Sequence, residues 1–252
     1  MAVYNYPYPS YNWAYQGMDF WGMPLTPQIA QDMHNDGVSF VGRYLYASRY
    51  PNGKGITPQE AQMYLDAGIK IFFFYEVNAT DALGGYSAGY QNGLDCLVEA
   101  TDLNVPVGTQ IYCCCDTGVT DAQASGVVMD YLQGFAEALP DYNTGIYGGQ
   151  NVVTACYNSF PNNFRCQAGA MGFQEFEPIN VRQWMIAYNR QAESDGFIRI
   201  QNVTIDNDGY AYWRGTNVDL LSANSLAYMW GSSTPPTPTE TKMPLWFYLK
   251  LF

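Results

Sequence analysis

Residues 69–77 read Ile69-Lys70-Ile71-Phe72-Phe73-Phe74-Tyr75-Glu76-Val77. A run this apolar and aromatic, entered from Gly68 and left at Asn78, predicts a strand covered on both faces. Such strands belong to parallel sheets, whose helical crossovers cover the faces. The flanking segments agree. Thr57-Pro58-Gln59-Glu60 is a capping box with proline at the first helical position, and it opens a helix that Gly68 closes. Thr26-Pro27 opens an earlier helix closed by Gly37. Strands are predicted before each, at Gly17–Trp21 and Ser39–Tyr46. Downstream the alternation continues: helix Ser87–Leu103, strand Thr109–Cys115, helix Ala122–Leu139, strand Thr144–Gly148, helix Gln150–Ser159. Periodicity then weakens, and Gln183–Tyr188, Phe197–Ile205 and Thr216–Leu220 complete eight predicted strands. Strand–helix alternation of this length predicts an α/β fold, a TIM-like (β/α)8 barrel irregular in its last three units. A doubly wound open sheet is the alternative, but no G-x-G-x-x-G follows its first strand.

The chain has 252 residues, with 23 acidic against 11 basic side chains and a net charge of -12. That sign argues against binding nucleic acid or anionic lipid. A single histidine, His34, removes two-histidine zinc motifs, and its polar surroundings read as a solvated helix end. Chemistry must therefore run on carboxylates, tyrosines or cysteines. Aromatic residues reach 16% while charged ones are only 13%. This composition suits either a sugar-stacking cleft or a subunit buried in an assembly. Six cysteines are present; Cys113-Cys114-Cys115 would alternate across a strand and cannot cage one metal. Cys156 and Cys166 bracket a polar loop and could pair, although free buried thiols are the simpler reading. Asp206-Asn207-Asp208-Gly209 resembles the start of a calcium loop, but Asn217 stands where that loop needs glutamate. No metal or cofactor is expected.

Composition divides the chain into a Tyr/Pro-rich arm (1–16), a barrel body (17–230), a Pro/Thr linker (231–242) and an apolar peptide (243–252). Met1–Gln16 lacks the features of a secretory signal, and no run is long enough to span a membrane. The peptide's Trp246, Phe247, Tyr248, Leu249 and Phe252 read as anchors for a protein partner or a second copy, with the first arm assisting. This suits a virion or cell-surface component made in the cytoplasm.

A parallel barrel gathers its site at the carboxyl ends of its strands. Asp19 and Trp21 stand there, as do Arg43, Tyr75, Glu76, Asp116 and Tyr147, followed by Trp184, Tyr188, Gln201 and Asp219. Carboxylates flanked by rings are the equipment of glycoside hydrolysis. Asp19, Glu76 and Asp116 are the catalytic candidates; the others would bind glycan. Asp116 could instead cap the following turn. Glu76 could be a desolvated acid or a partner of Arg43.

Gly17-Met18-Asp19-Phe20, Phe40-Val41-Gly42-Arg43-Tyr44-Leu45, Thr57-Pro58-Gln59-Glu60-Ala61 and Ala67-Gly68-Ile69 together form a pattern. It continues through Pro106-Val107-Gly108-Thr109-Gln110-Ile111-Tyr112 to Asp116, then Gly145-Ile146-Tyr147-Gly148 and Trp184 to Tyr188. Over roughly 17–225 this resembles the glycoside-hydrolase-like domain family of bacteria and their phages, similar in fold to family 25 lysozymes. The resemblance implies a TIM-like barrel and a cell-wall glycan. In those lysozymes the fourth strand ends Asp-x-Glu, the glutamate being the proton donor. Here it reads Asp116-Thr117-Gly118, so Asp116 and Asp19 carry over and the acid does not. Glu76, on the neighbouring strand, would then substitute as acid, with Asp116 as nucleophile or stabiliser. The second reading is a barrel that binds glycan without cleaving it.

Overall fold

The structure, a computed structural model, describes residues 13–23, 25–45, 54–169, 179–184, 189–194 and 196–232. The first five predicted strands form with ends shifted by no more than two residues: β1 (Tyr15–Asp19), β2 (Phe40–Tyr44), β3 (Lys70–Tyr75), β4 (Gln110–Cys114) and β5 (Asn143–Gly148). They pair in parallel and in chain order, and β6 (Phe164–Ala168) and β7 (Val181–Trp184) extend the series. The barrel closes through β10 (Thr216–Ala223), which runs antiparallel to both β7 and β1. It is a TIM-like α/β barrel whose eighth strand is reversed.

The irregular end departs from expectation in detail. β6 was not predicted, because its outward Arg165 and Gln167 break the apolar run. The predicted strand Phe197–Ile205 contributes only β8 (Val203–Ile205), which lies outside the barrel. It pairs with β9 (Ala211–Trp213), which extends the start of β10. Within this hairpin the suggested calcium loop is a turn: Asp206 Oδ1 accepts from the amides of Asp208 and Tyr210, both at 2.9 Å. The arm residues 1–12, the docking peptide with Trp246, Phe247, Tyr248, Leu249 and Phe252, and nearly all of its linker lie outside the described residues.

Strand alternation sorts the core into two layers. Phe40, Phe72, Phe74, Tyr112, Cys114, Tyr147, Cys166, Val181 and Leu221 fill the barrel. Met18, Val41, Phe73, Tyr75, Cys113, Cys115, Ile146, Trp184 and Leu220 face the helices. The three consecutive cysteines thus alternate as expected. Each of the six cysteines is a free, buried thiol, and Cys156 and Cys166 belong to different layers.

The helices are α1 (Pro27–Asn35), α2 (Pro58–Asp66), α3 (Gly85–Asp102), α4 (Asp121–Gln123), α5 (Met129–Ala138), α6 (Gln150–Ser159) and α7 (Asn189–Ser194). Thr26 and Thr57 cap α1 and α2 by accepting from the amides of Ile29 and Glu60. Gly37 and Gly68 follow α1 and α2 with φ of 99° and 83°, values that favour glycine. The predicted helix Ala122–Leu139 is interrupted by a π-helical stretch at Ala124–Val128, where the Ser125 hydroxyl takes the Asp121 carbonyl. Among the described residues no helix is long and apolar enough to cross a membrane.

α3 and α5 touch backbone to backbone. A Cβ on Gly89 would lie 2.0 Å from the Tyr131 carbonyl oxygen, and one on Gly134 would lie 2.2 Å from that of Tyr86. Neither obstacle is a side chain that can move aside. Gly134→Val is therefore expected to cost about 3 kcal/mol or more, read as a fall in thermal midpoint. Gly126→Ala, where an added Cβ meets nothing within 4 Å, should leave the midpoint within a degree or two. Equal midpoints for the two variants would refute this account of the contact.

Candidate functional site: an acidic recess at the strand ends

β1 ends on Asp19, whose side chain turns into the barrel. The antiparallel register of β1 and β10 sets Asp219 directly beside it. Gly42, on β2, faces Asp19 from the other side. A Cβ there would stand 3.3 Å from that of Asp19 and 2.8 Å from the rings of Phe72 and Phe74, so only glycine leaves room for all three. Gln183 of β7 binds the pair, donating from Nε2 to Asp19 Oδ2 at 2.9 Å and, more weakly, to Asp219 Oδ2 at 3.4 Å. Its Oε1 accepts from the Tyr147 hydroxyl at 2.7 Å. Above them lies a recess of about 210 Å³, counting its solvent-open mouth, lined by Tyr44, Phe74, Glu76, Cys114, Asp116, Tyr147 and Gln183.

Among the described residues, Lys54 brings positive charge to this end. A bridge between Tyr44 and Gly55 brings its loop alongside β2. Its Nζ pairs with Glu76 Oε2 at 3.2 Å and lies over the rings of Tyr44 (4.5 Å) and Trp21 (5.0 Å). Trp21 itself is 57% exposed at the lip.

Burial dominates the electrostatics. It pushes the Asp19 carboxyl well above the ordinary carboxylate range, and neighbouring Asp219 pushes the same way. Gln183 and the more distant Arg43 oppose this. Asp219 is pushed up to about 6 by burial and by Asp116. Asp116 is an exposed residue at the rim, but its carboxyl turns into the recess. Partial burial and then Glu76 raise it, against Lys54 and Tyr147. Burial also raises the Tyr44 and Tyr147 hydroxyls, so both remain donors at neutral pH. The recess therefore sets carboxyls whose proton affinity the fold has raised beside tyrosine donors, a combination suited to acid–base work and to binding sugar hydroxyls.

Of the residues predicted for this site, Asp19, Glu76, Asp116, Tyr147 and Asp219 come together, with Trp21 at the edge. Asp116 is no helix cap; Thr120 caps α4. Four predictions are corrected. Arg43 points outward beneath α2, donating from Nε to Glu60 Oε1 at 2.7 Å and from Nη1 to the Phe20 carbonyl at 2.7 Å. The Glu60 side chain thus serves Arg43, and Glu76 pairs with Lys54 instead. Tyr75 is buried outside the barrel against Phe135. Trp184 faces outward too, stacked on Phe197 and donating to the Ser222 hydroxyl at 2.8 Å. Gln201 lies at the opposite end of the barrel, its amide on the Asp36 carbonyl just before β2. Tyr188 lies outside the described residues, and His34 is exposed. Lys54, Tyr44 and Gln183 are the additions. The signal for Lys54 was a lysine in a loop at the carboxyl end of β2; for Gln183 it was its alternation with the interior Val181.

A closed α/β barrel with carboxyls, tyrosine hydroxyls and a lysine gathered at its strand ends defines a glycoside-hydrolase-like protein. The chain belongs to the Rv2525c-like, glycoside hydrolase-like domain family, whose pattern matches residues 31–219. It is 30% identical over 148 residues to the uncharacterized protein YbfG of Bacillus subtilis (strain 168). That match covers 51% of this chain but only 19% of YbfG. Among solved structures, the Tat-secreted protein Rv2525c of Mycobacterium tuberculosis, in complex with L-tartrate, is 20% identical with a TM-score of 0.61. The likeness covers 83% of this chain and 95% of that one. An uncharacterized B. stearothermophilus protein is 17% identical with a TM-score of 0.57, over 86% of this chain and 100% of its own. These structural likenesses bear on fold alone.

Proposed function

We propose that the recess binds a cell-wall or surface glycan. The observation that supports this best is its lining: carboxyl acceptors alternate with tyrosine and amide donors beneath an exposed tryptophan, a set complementary to ring hydroxyls and a sugar face. The crystallised complex of Rv2525c with L-tartrate, a small polyhydroxylated acid, is consistent with this reading. Calorimetric titration with soluble peptidoglycan fragments and chitooligosaccharides tests it. Trp21→Ala and Tyr147→Phe are each expected to weaken binding by ~10-fold or more. Absence of binding by the unaltered protein, or binding by both variants as tight as that of the unaltered protein, rejects the reading.

Hydrolysis is a second reading, favoured by Glu76 and Asp116 lining one recess. Glu76 would be the acid and Asp116 the nucleophile or stabiliser, with the missing Asp-x-Glu acid at Gly118 limiting the rate. A Cβ built on Gly118 meets nothing within 4 Å, so a side chain fits. Gly118→Glu is expected to raise the release of reducing ends from purified cell walls by ~100-fold, within the range of general acid catalysis. Glu76→Gln should abolish any basal release. A Gly118→Glu protein that binds walls but releases no more than the parent would exclude the hydrolytic reading.

The barrel would present this recess on a virion or cell surface, docked through residues 1–16 and 243–252. The Tat-secreted relative supports work outside the cytoplasm. Deleting 233–252 should abolish recovery of the protein in its assembly while sparing glycan binding.

A further inference from the structure

Half of the eight large apolar side chains that stand exposed among the described residues share one helix. Tyr86, Tyr90, Leu94 and Val98 follow one another along α3 at intervals of four, a spacing that makes a single outward ridge. Tyr86 and Tyr90 stack at 6.1 Å, and Val98 is 59% exposed. The inner side of the helix, with Gly89 and Gly93, is sealed against α5. A continuous exposed apolar ridge marks an interaction surface.

Charge narrows what can cover it. Residues 71–164, which build the barrel from β3 to α6, hold ten acids and no lysine, arginine or histidine. Asp95, Glu99 and Asp102 belong to α3 itself, and Glu137 of α5 accepts from the Tyr86 hydroxyl. A second copy presenting the same helix would set acid against acid, and an anionic lipid surface is repelled as well. The matching occupant is apolar and basic. Residues 242–252 have that chemistry: Lys242 and Lys250 with no acid, and Leu245, Trp246, Phe247 and Leu249 between them. The path of the chain supplies the reach. After β10 it crosses the amino ends of the two strands that α3 connects. The Tyr228 carbonyl takes the Gln110 amide of β4, and Trp230 exchanges both backbone bonds with Ile71 of β3. α3 descends to this same end of the barrel, closing at Asp102 before β4 begins. The ten residues 233–242 span up to ~31 Å as a proline-rich linker, against ~27 Å for the whole of α3.

We propose that the outer ridge of α3 is the resting seat of this chain's own segment 243–252, its apolar side chains on Tyr86–Val98 and its lysines toward the flanking acids. A tether of this length holds the segment near the ridge at millimolar effective concentration, so a weak intrinsic affinity suffices to fill it. The protein thereby covers two apolar surfaces with each other. A partner that takes the segment must displace it from α3; that consequence rests on the docking role proposed above.

Photo-crosslinking of the full chain tests the seat, with a benzophenone amino acid in place of Val98. The expected product joins position 98 to residues 243–252 of the same molecule. In a mixture of nitrogen-14 and nitrogen-15 protein it carries one label only, and its yield does not change with protein concentration. Tyr90→Lys with Leu94→Lys should lower that yield about tenfold, the effect of losing roughly one power of ten in local affinity. Tyr210→Lys, at an exposed ring on the β8–β9 hairpin, should leave it unchanged. Lys242→Glu with Lys250→Glu, which leaves the barrel sequence untouched, should lower it too and serves if the ridge variant does not fold. No cross-link to 243–252, a mixed-label product, or a yield indifferent to both pairs of substitutions would overturn the proposal. Loss of assembly on deleting 233–252 without any intrachain cross-link would overturn this seat while leaving the docking role standing.

Discussion

Asp219→Asn is expected to gain about 2 kcal/mol of stability relative to the parent between pH 4 and pH 7. Asp219 ionises near 3.8 in the unfolded chain and at about 6 in the folded one. Between those values the folded state binds more protons than the unfolded state. Stability contributed by the protonated carboxyl is therefore complete below 3.8 and is lost as pH rises through 6. A shift of about two units corresponds to nearly 3 kcal/mol in full. Coupling to Asp19 and Asp116 spreads the same protons over several groups, hence the smaller figure. An asparagine keeps the shape and has no charge to desolvate. Asp36 contributes slope of the opposite sign, because its hydrogen bonds with Arg214, Asn202 and Trp213 outweigh burial and hold its carboxyl low. The informative quantity is thus the difference between variant and parent in urea melts across pH 4–7.5. A difference that does not grow with pH would show that Asp219 is not held protonated by the fold.

The opposite result is expected for Arg43→Met, a loss of about 3 kcal/mol. Arg43 is 1% exposed, and its guanidinium bonds Glu60 and the Phe20 carbonyl. Methionine fills the aliphatic volume but leaves Glu60, 14% exposed at its side chain, without its cation. It also leaves the Phe20 carbonyl without this donor, and the Phe20 ring without the guanidinium 4.8 Å from its centroid. For a chain of this length that is roughly 6–12 °C in thermal midpoint. The double variant Arg43→Met with Glu60→Met should recover part of the loss, because no charge is then stranded. A double variant less stable than Arg43→Met alone would contradict this assignment. Phe20 follows Asp19 directly, so glycan affinity should fall along with stability in the single variant.

The site was partly legible before folding because strand ends are marked by their own chemistry. Asp19, Glu76 and Asp116 each end an apolar run, and a parallel barrel brings such ends to one rim. Side-chain direction was legible too, by the alternation already applied to Cys113-Cys114-Cys115. The same parity sends Glu76, Tyr147 and Gln183 inward and Arg43, Tyr75 and Trp184 outward, once the two-residue period is followed from Phe72, Tyr112 or Val181. What parity cannot supply is a partner from a distant element. Lys54 meets Glu76 across 22 residues, and Gln183 meets Asp19 across 164.

The amino-acid order alone determined the barrel class, the helix caps, and the rim on which the acids at the ends of β1, β3 and β4 collect. Those properties are written in local periodicity and turn chemistry, each readable over a few residues. Tertiary structure decided that the last strand runs backwards. That reversal set Asp219 against Asp19 as a paired carboxyl instead of a peripheral contact. It also decided which of the acids keep their protons, because desolvation and the charge of a neighbour exist only once distant strands have closed around them.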